Sequence, residues 1–332
     1  MAVLNIAIVG EDGFARSIAK PSDHRDVDTY VHKTGIGEEA RILSLIRPTR
    51  YPERLRPLLT ALAAARAGVL QVRRIDAAFG ESLVAFAAAG IEHGLLIFEP
   101  EEGGWIDEER AMAMVRQAGL DAWKAVPSDA NVIRASLQDL LDRTESNRSV
   151  DLGRPLAVPV DQHFNVKGIG LVAIGYVQCG RIAVHDEVQL LPAGRIATVR
   201  SLQVMDDDVT EAIAGDRVGI ALRNAGEADL PTGSFVIHPE QPTLETHSAS
   251  SMTVKWSPFQ TYRPEPDDVL HASLDLQFIV GRVRAYEEDR LTIEWDRPIM
   301  VRALRTDRMV LSRLEAPLRI LGHAVDVLPA KL

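Results

Sequence analysis

Residues 158–192 read VPVDQHFNVKGIGLVAIGYVQCGRIAVHDEVQLLP, residues 195–224 read RIATVRSLQVMDDDVTEAIAGDRVGIALRN, and residues 229–237 read DLPTGSFVI. Apolar and polar residues alternate in short runs, cut by Gly168, Gly170, Gly175, Gly180, Gly194 and Gly215. That spacing predicts short antiparallel strands closing into a small barrel or sandwich. Val158, Val160, Phe164, Val166, Leu171, Ile174 and Val177 fall where inward-facing positions are expected. Glycines at the strand ends permit the positive φ angles that tight corners need.

Upstream, the pattern changes. The apolar run Leu4 to Val9 ends at Gly10 and predicts a buried parallel strand. Strand and helix then alternate: strand 41–46, helix 53–66, strand 68–73, helix 81–90, strand 94–98, helix 107–119, strand 121–126 and helix 129–143. Asp107 is the expected cap of one helix with Gly119 as its stop, and Ser128 or Asp129 caps the last. This alternation predicts a three-layer α/β domain over residues 1–145, with any ligand at the carboxyl ends of its strands. A polar linker, 144–155, leads to the first barrel, placed at 156–238. After a second linker (238–251), alternation resumes and predicts another antiparallel barrel over 250–330.

The 332 residues suffice for two or three domains with well-formed cores. A single cysteine, Cys179, excludes intrachain disulfides and multi-cysteine zinc sites, and its place at a strand end reads as structural. Met112 and Met114 read as core residues. The nine histidines show no metal-ligand spacing. The expectation is a cytoplasmic protein: no apolar run is long enough to span a membrane, and the start lacks a charged lead before an apolar stretch. A net charge of −10 argues against indiscriminate DNA binding, while leaving room for a local basic patch on a structured RNA.

The order of residues in the opening stretch resembles the second-domain β-barrel of the translational GTPases, the group of elongation factor Tu and the selenocysteine-specific elongation factor. The matching pieces are Gly168-Ile169-Gly170, Gly180-Arg181-Ile182, Asp186-Glu187-Val188 ending at Leu191-Pro192, Arg200-Ser201-Leu202-Gln203, Ala214-Gly215-Asp216-Arg217-Val218-Gly219, and Asp229-Leu230 with Gly233. The last barrel is similar to the third domain of the same family, through Asp307-Arg308-Met309-Val310-Leu311. The resemblance implies a P-loop-type α/β domain followed by two small antiparallel β-barrels.

It also implies a phosphate-binding loop GxxxxGK[ST] at Gly10-Glu11-Asp12-Gly13-Phe14-Ala15-Arg16-Ser17. Only its first glycine and final serine are kept. Ala15 replaces the second glycine. Arg16 replaces the lysine, and a forked guanidinium is a poor substitute for a compact point charge between phosphates. The family's Asp-x-x-Gly-His is replaced by Arg47-Pro48-Thr49-Arg50-Tyr51. Its guanine-reading motif is replaced by Phe98-Glu99-Pro100-Glu101, and its magnesium-binding threonine loop is reduced to Thr34-Gly35-Ile36-Gly37.

What remains for GTP or GDP with magnesium is Gly10, Gly13, Arg16, Ser17 and Ser128, so nucleotide binding and hydrolysis are expected to be weak or absent. No catalytic or metal-ligating residue is assigned. As partner the resemblance implies aminoacyl-tRNA or a related RNA, and the ribosome. His163, Lys167, Arg200, Gln203 and Arg217 are the candidates around the pocket, and Arg302, Arg305, Arg308 and Arg313 could touch an RNA backbone. Two alternatives stay open: a working but divergent GTPase elongation factor, and a regulatory protein-binding scaffold without nucleotide.

Overall fold

The computed structural model describes residues 1–241, 243–302 and 308–331. Seven strands form its first sheet: β1 (Ala2–Val9), β2 (Lys20–His24), β3 (Val27–Thr34), β4 (Arg41–Pro48), β5 (Ala67–Val72), β6 (Gly94–Phe98) and β7 (Lys124–Ala125). Their spatial order is β2-β3-β4-β1-β5-β6-β7. The run from β4 to β7 is parallel, while β2 and β3 form an antiparallel hairpin on the β4 edge.

Helices α1 (Asp12–Ile18) and α5 (Ala130–Leu152) cover one face of the sheet. There Phe14, Ile18, Ile133, Leu137 and Leu141 pack on Leu4, Ile6, Ile8 and Leu45. Helices α2 (Arg56–Ala64), α3 (Ala77–Ala89) and α4 (Glu108–Gln117) cover the other, with Leu58, Leu83, Phe86 and Val115 over Ala7, Ile46, Leu70 and Leu96. Burial on both faces explains why the strands read as unbroken apolar runs.

Asp76 caps α3 by accepting from Phe79 N, so this helix begins four residues before the expected Glu81. Asp107 and Asp129 cap α4 and α5 as their sequence positions imply. The segment expected as a linker from Thr144 continues α5 instead, because no glycine or proline interrupts it before Gly153. The β2–β3 hairpin was not expected at all: β2, KPSDH, is a polar edge strand with no apolar alternation.

The first barrel contains β8 (Val158–Val166), β9 (Gly170–Tyr176), β10 (Arg181–Ala183), β11 (Glu187–Leu191), β12 (Arg195–Val204), β13 (Asp207–Val209), β14 (Glu211–Ile213), β15 (Arg217–Arg223) and β16 (Phe235–Ile237). It closes as β11-β16-β8-β9-β15-β12, with β12 pairing back onto β11. Two expected core positions turn outward. Phe164 is 37% exposed, and Ile174 shares a row with Gln162 and Gly219; a bulge between Val160 and Gln162 changes the facing of β8. The second barrel, β17 (Leu244–Trp256), β18 (Val269–Leu274), β19 (Gln277–Glu287), β20 (Arg290–Arg302), β21 (Met309–Ser312) and β22 (Ile320–Pro329), closes in the order β17-β20-β19-β18-β21-β22.

Both barrels dock on the α/β domain. Val310 and Ile320 of the second barrel and Tyr176 of the first join the core beneath α2 and α3. Arg319 grips the buried Glu81 of α3 through Nε (2.8 Å) and Nη2, and donates from Nη2 to Pro52 O. The first barrel adds Asn5 Nδ2 to Gly215 O (2.8 Å) and Gln178 Nε2 to Ala63 O (2.9 Å).

Candidate functional site

At the carboxyl edge of the sheet the chain turns from β1 into α1 through Gly10 and Glu11 alone. Gly13, Arg16 and Ser17 therefore lie within a helix of seven residues rather than in a loop before one. A Cβ on Gly10 would stand 2.9 Å from Gln71 Oε1, and that same oxygen accepts from Glu11 N at 2.8 Å. Gln71 in turn donates to Glu99 (2.8 Å), and Arg73 pairs with Glu11.

Arg16 folds back on Asp12, Nε to Oδ2 2.5 Å, and Ser17 Oγ donates to Phe14 O. Asp12 also accepts from Tyr30 OH (2.5 Å). Its carboxyl is held below the usual range by Arg16 first and Tyr30 second, while burial pushes the Tyr30 phenol up to about 12. Arg47 takes the buried Asp28 at 2.5 Å, and His24 contacts the other oxygen of that carboxylate.

Tyr51 turns away from this edge. Its hydroxyl bonds Ala78 O and Ser82 Oγ, each at 3.1 Å, and burial raises its pKa. Thr34 pairs with Arg41 at the start of β4, so the Thr34–Gly37 segment sits at the amino end of the sheet, opposite Gly10. The turn at Gly10's end is the one between β2 and β3. Ser128 is exposed just before the α5 cap, and Arg134 of α5 holds the carbonyls of Ser17 (3.2 Å) and Ile18 (2.9 Å).

The second cluster lies on the outer face of the first barrel. Register across β8, β9, β15 and β12 aligns Gln162, Ile174, Gly219 and Gln203 in one row, and Phe164, Val172, Ala221 and Ser201 in the next. Alternation along β15 and β9 puts Arg217 and Tyr176 on the same face, one row further. The half-exposed Val172 and Ile174 and the exposed Phe164 give this surface an apolar centre.

Gln203 Nε2 is held by Asp208 at 2.9 Å. Arg200 sits beyond the edge of the rows and donates to Gly168 O (3.0 Å) and Ile169 O (2.7 Å), bracing the β8–β9 turn that carries the exposed Lys167. His163 is half-buried and lines a cleft of about 570 Å³ together with Arg25, Arg56, Asp161, Gln162 and Thr232. Burial raises the pKa of Asp161, against the pull of Arg217.

Sequence reading missed Asp23, which stands 3.4 Å from Arg217 Nη2, and Gln162, which reaches the same carboxylate at 3.3 Å. Asp23 is 194 residues from Arg217, and no local pattern marks the pair. Among the last-barrel arginines, Arg302 is buried against Asp275 with both bonds at 2.9 Å, Arg308 donates to Ala87 O, and Arg313 lies over the Tyr262 ring at 5.0 Å. Arg302 and Arg308 are thus engaged within the protein rather than free to touch an RNA backbone. Arg305 and Asp307 lie outside the described residues. Cys179 is buried, with Sγ on Pro155 O, and Met112 and Met114 pack against the core. Among the described residues, no helix is long and apolar enough to cross a membrane.

Comparison with known proteins agrees with this architecture. The family described as Elongation factor Tu domain 2 matches residues 170–237. An uncharacterized protein of Methanocaldococcus jannaschii is 25% identical over 323 residues, 97% of this chain and 99% of that one. The selenocysteine-specific elongation factor of the same organism is 27% identical over 173 residues, 52% of this chain and 36% of that factor. The crystal structure of a bacterial selenocysteine-specific elongation factor superimposes with a TM-score of 0.80 at 18% identity, over 98% of this chain and 58% of that protein. The α/β domain followed by two closed barrels is the architecture of the translational elongation factors. Residues 170–237 carry an elongation factor Tu domain 2, and the chain as a whole is similar to translational elongation factors.

Proposed function

We propose that this protein is an elongation-factor-like RNA-binding protein that takes the acceptor end of an aminoacyl-tRNA, or a related RNA, on the outer face of its first barrel without a guanine-nucleotide switch. The observation that carries the reading is the convergence of Gln203, Arg217 and Gln162 around the apolar patch of Phe164, Val172 and Ile174. A nucleotide end presents a stackable ring beside hydrogen-bonding and anionic groups, and this surface offers partners for each.

Supporting the absence of a switch is the engagement of the β1–α1 turn by the protein's own side chains. Its Glu11 amide is taken by Gln71, and Arg16, Arg47 and Arg73 are each engaged by carboxylates. A triphosphate would meet the carboxylates of Glu11 and Asp12 and arginines already paired, with only the uncapped first amides of a seven-residue helix to receive it. The residues present fit GTP with magnesium poorly, which supports a factor without a nucleotide switch.

The test is filter binding of a labelled aminoacyl-tRNA pool to nucleotide-free protein at low and moderate salt. Affinity should fall as salt rises. Gln203→Ala should weaken binding roughly fivefold, for the loss of about 1 kcal/mol of hydrogen bonding. Failure of any RNA to bind at low salt would overturn the reading in favour of a protein-binding scaffold.

A further inference from the structure

The β2–β3 hairpin runs alongside the outer face of the first barrel and is fastened to it at both ends. At its turn end, Asp23 Oδ2 meets Arg217 Nη2 (3.4 Å) and Gln162 Nε2 (3.3 Å). At its other end, Lys33 pairs with Asp207, on the β12–β13 hairpin that also positions Gln203 through Asp208. The two fastenings thus touch both polar groups that frame the proposed ligand face.

The turn-end contact is incomplete. Among the described residues, Arg217 Nε and Gln162 Oε1 are buried with no hydrogen-bond partner, although an unpaired buried donor or acceptor is costly. Beside them opens the cleft of about 570 Å³, so a ligand group entering there would reach Gln162 directly.

We propose that the β2–β3 hairpin is an autoinhibitory clasp, in which the Asp23 carboxylate occupies the place of a ligand phosphate on Arg217. This rests on the reading of the barrel face as an RNA site. Phosphate and carboxylate compete for the same guanidinium, and a phosphate offers more acceptor oxygens with which to satisfy Arg217 Nε. Ligand entry therefore requires release of Asp23. β2 can yield because it is an exposed edge strand, paired among the described residues only to β3. Opening is then driven by the RNA itself, where a nucleotide-switched factor would use the γ-phosphate.

The experiment compares wild type with Asp23→Asn, which keeps the shape and removes the charge, and with Lys33→Met, which opens the far end. Aminoacyl-tRNA affinity is measured across a salt series, and amide exchange of residues 20–34 is followed with and without RNA. The expected results are binding three- to tenfold tighter for Asp23→Asn, and faster exchange of the hairpin in both variants before RNA is added. In the wild type, exchange there should rise on RNA binding. Equal or weaker affinity for Asp23→Asn, or hairpin exchange indifferent to RNA, would overturn the clasp while leaving the RNA site standing. No RNA binding to any of the three proteins would remove the site and the clasp together.

Discussion

Arg16 shows how far a residue's meaning depends on where its helix starts. In sequence it stands at the lysine of a phosphate loop; in the fold it is one turn into α1 and bonded to Asp12. His323 on β22 makes the opposite point, since nothing local in the sequence distinguishes it. Burial in the crevice between α3 and the second barrel, next to Arg308 and Lys255, lowers its pKa to about 4. The unfolded chain takes up this proton near pH 6.5, and the folded chain withholds it until about 4. Its contribution to stability is therefore whole above pH 6.5 and is lost as the pH falls towards 4. Denaturant titrations at pH 7.0, 5.5 and 4.5 should show a smaller loss for His323→Gln than for wild type. An unchanged slope would mean that the histidine protonates freely in the native protein.

At the scale of elements, Trp123 accounts for the shape of the β5–β6–β7 region. Its ring is 2% exposed, packs edge-on against Phe86 at 4.7 Å and covers Gly68 and Gly94. A Cβ on Gly94 would lie 2.4 Å from the indole, so Gly94→Ala should destabilise the protein by about 2 kcal/mol through overpacking. A urea midpoint equal to wild type would show that the ring shifts freely.

The same indole spans strand starts that sequence could place, yet β7 shrinks to two residues from the six expected. Strands and helices with an internal apolar period were legible, as was the cap Asp107; for the last helix the sequence left Ser128 or Asp129, and Asp129 caps it. The β2–β3 hairpin was not, because a polar edge strand draws its stability from β4 and the barrel rather than from its own pattern. The fastening of Asp23 to Arg217 was illegible for the same reason: it exists only once separate domains have docked.

At the scale of the molecule, the α/β domain keeps the sheet on which a nucleotide switch is normally built, with its carboxyl edge filled by its own side chains. Contacts between domains are correspondingly definite: Glu81 with Arg319, Asn5 with Gly215, Gln178 with Ala63, and the two ends of the β2–β3 hairpin. None of these contacts is made by the β1–α1 turn itself, which reaches the β2–β3 hairpin through the bond of Tyr30 to Asp12. The measurement that tests this account most directly is the dissociation constant for aminoacyl-tRNA with and without GTP and magnesium. The account predicts measurable binding at low salt, unchanged by nucleotide. Binding that appears or tightens tenfold or more only with GTP and magnesium would contradict it.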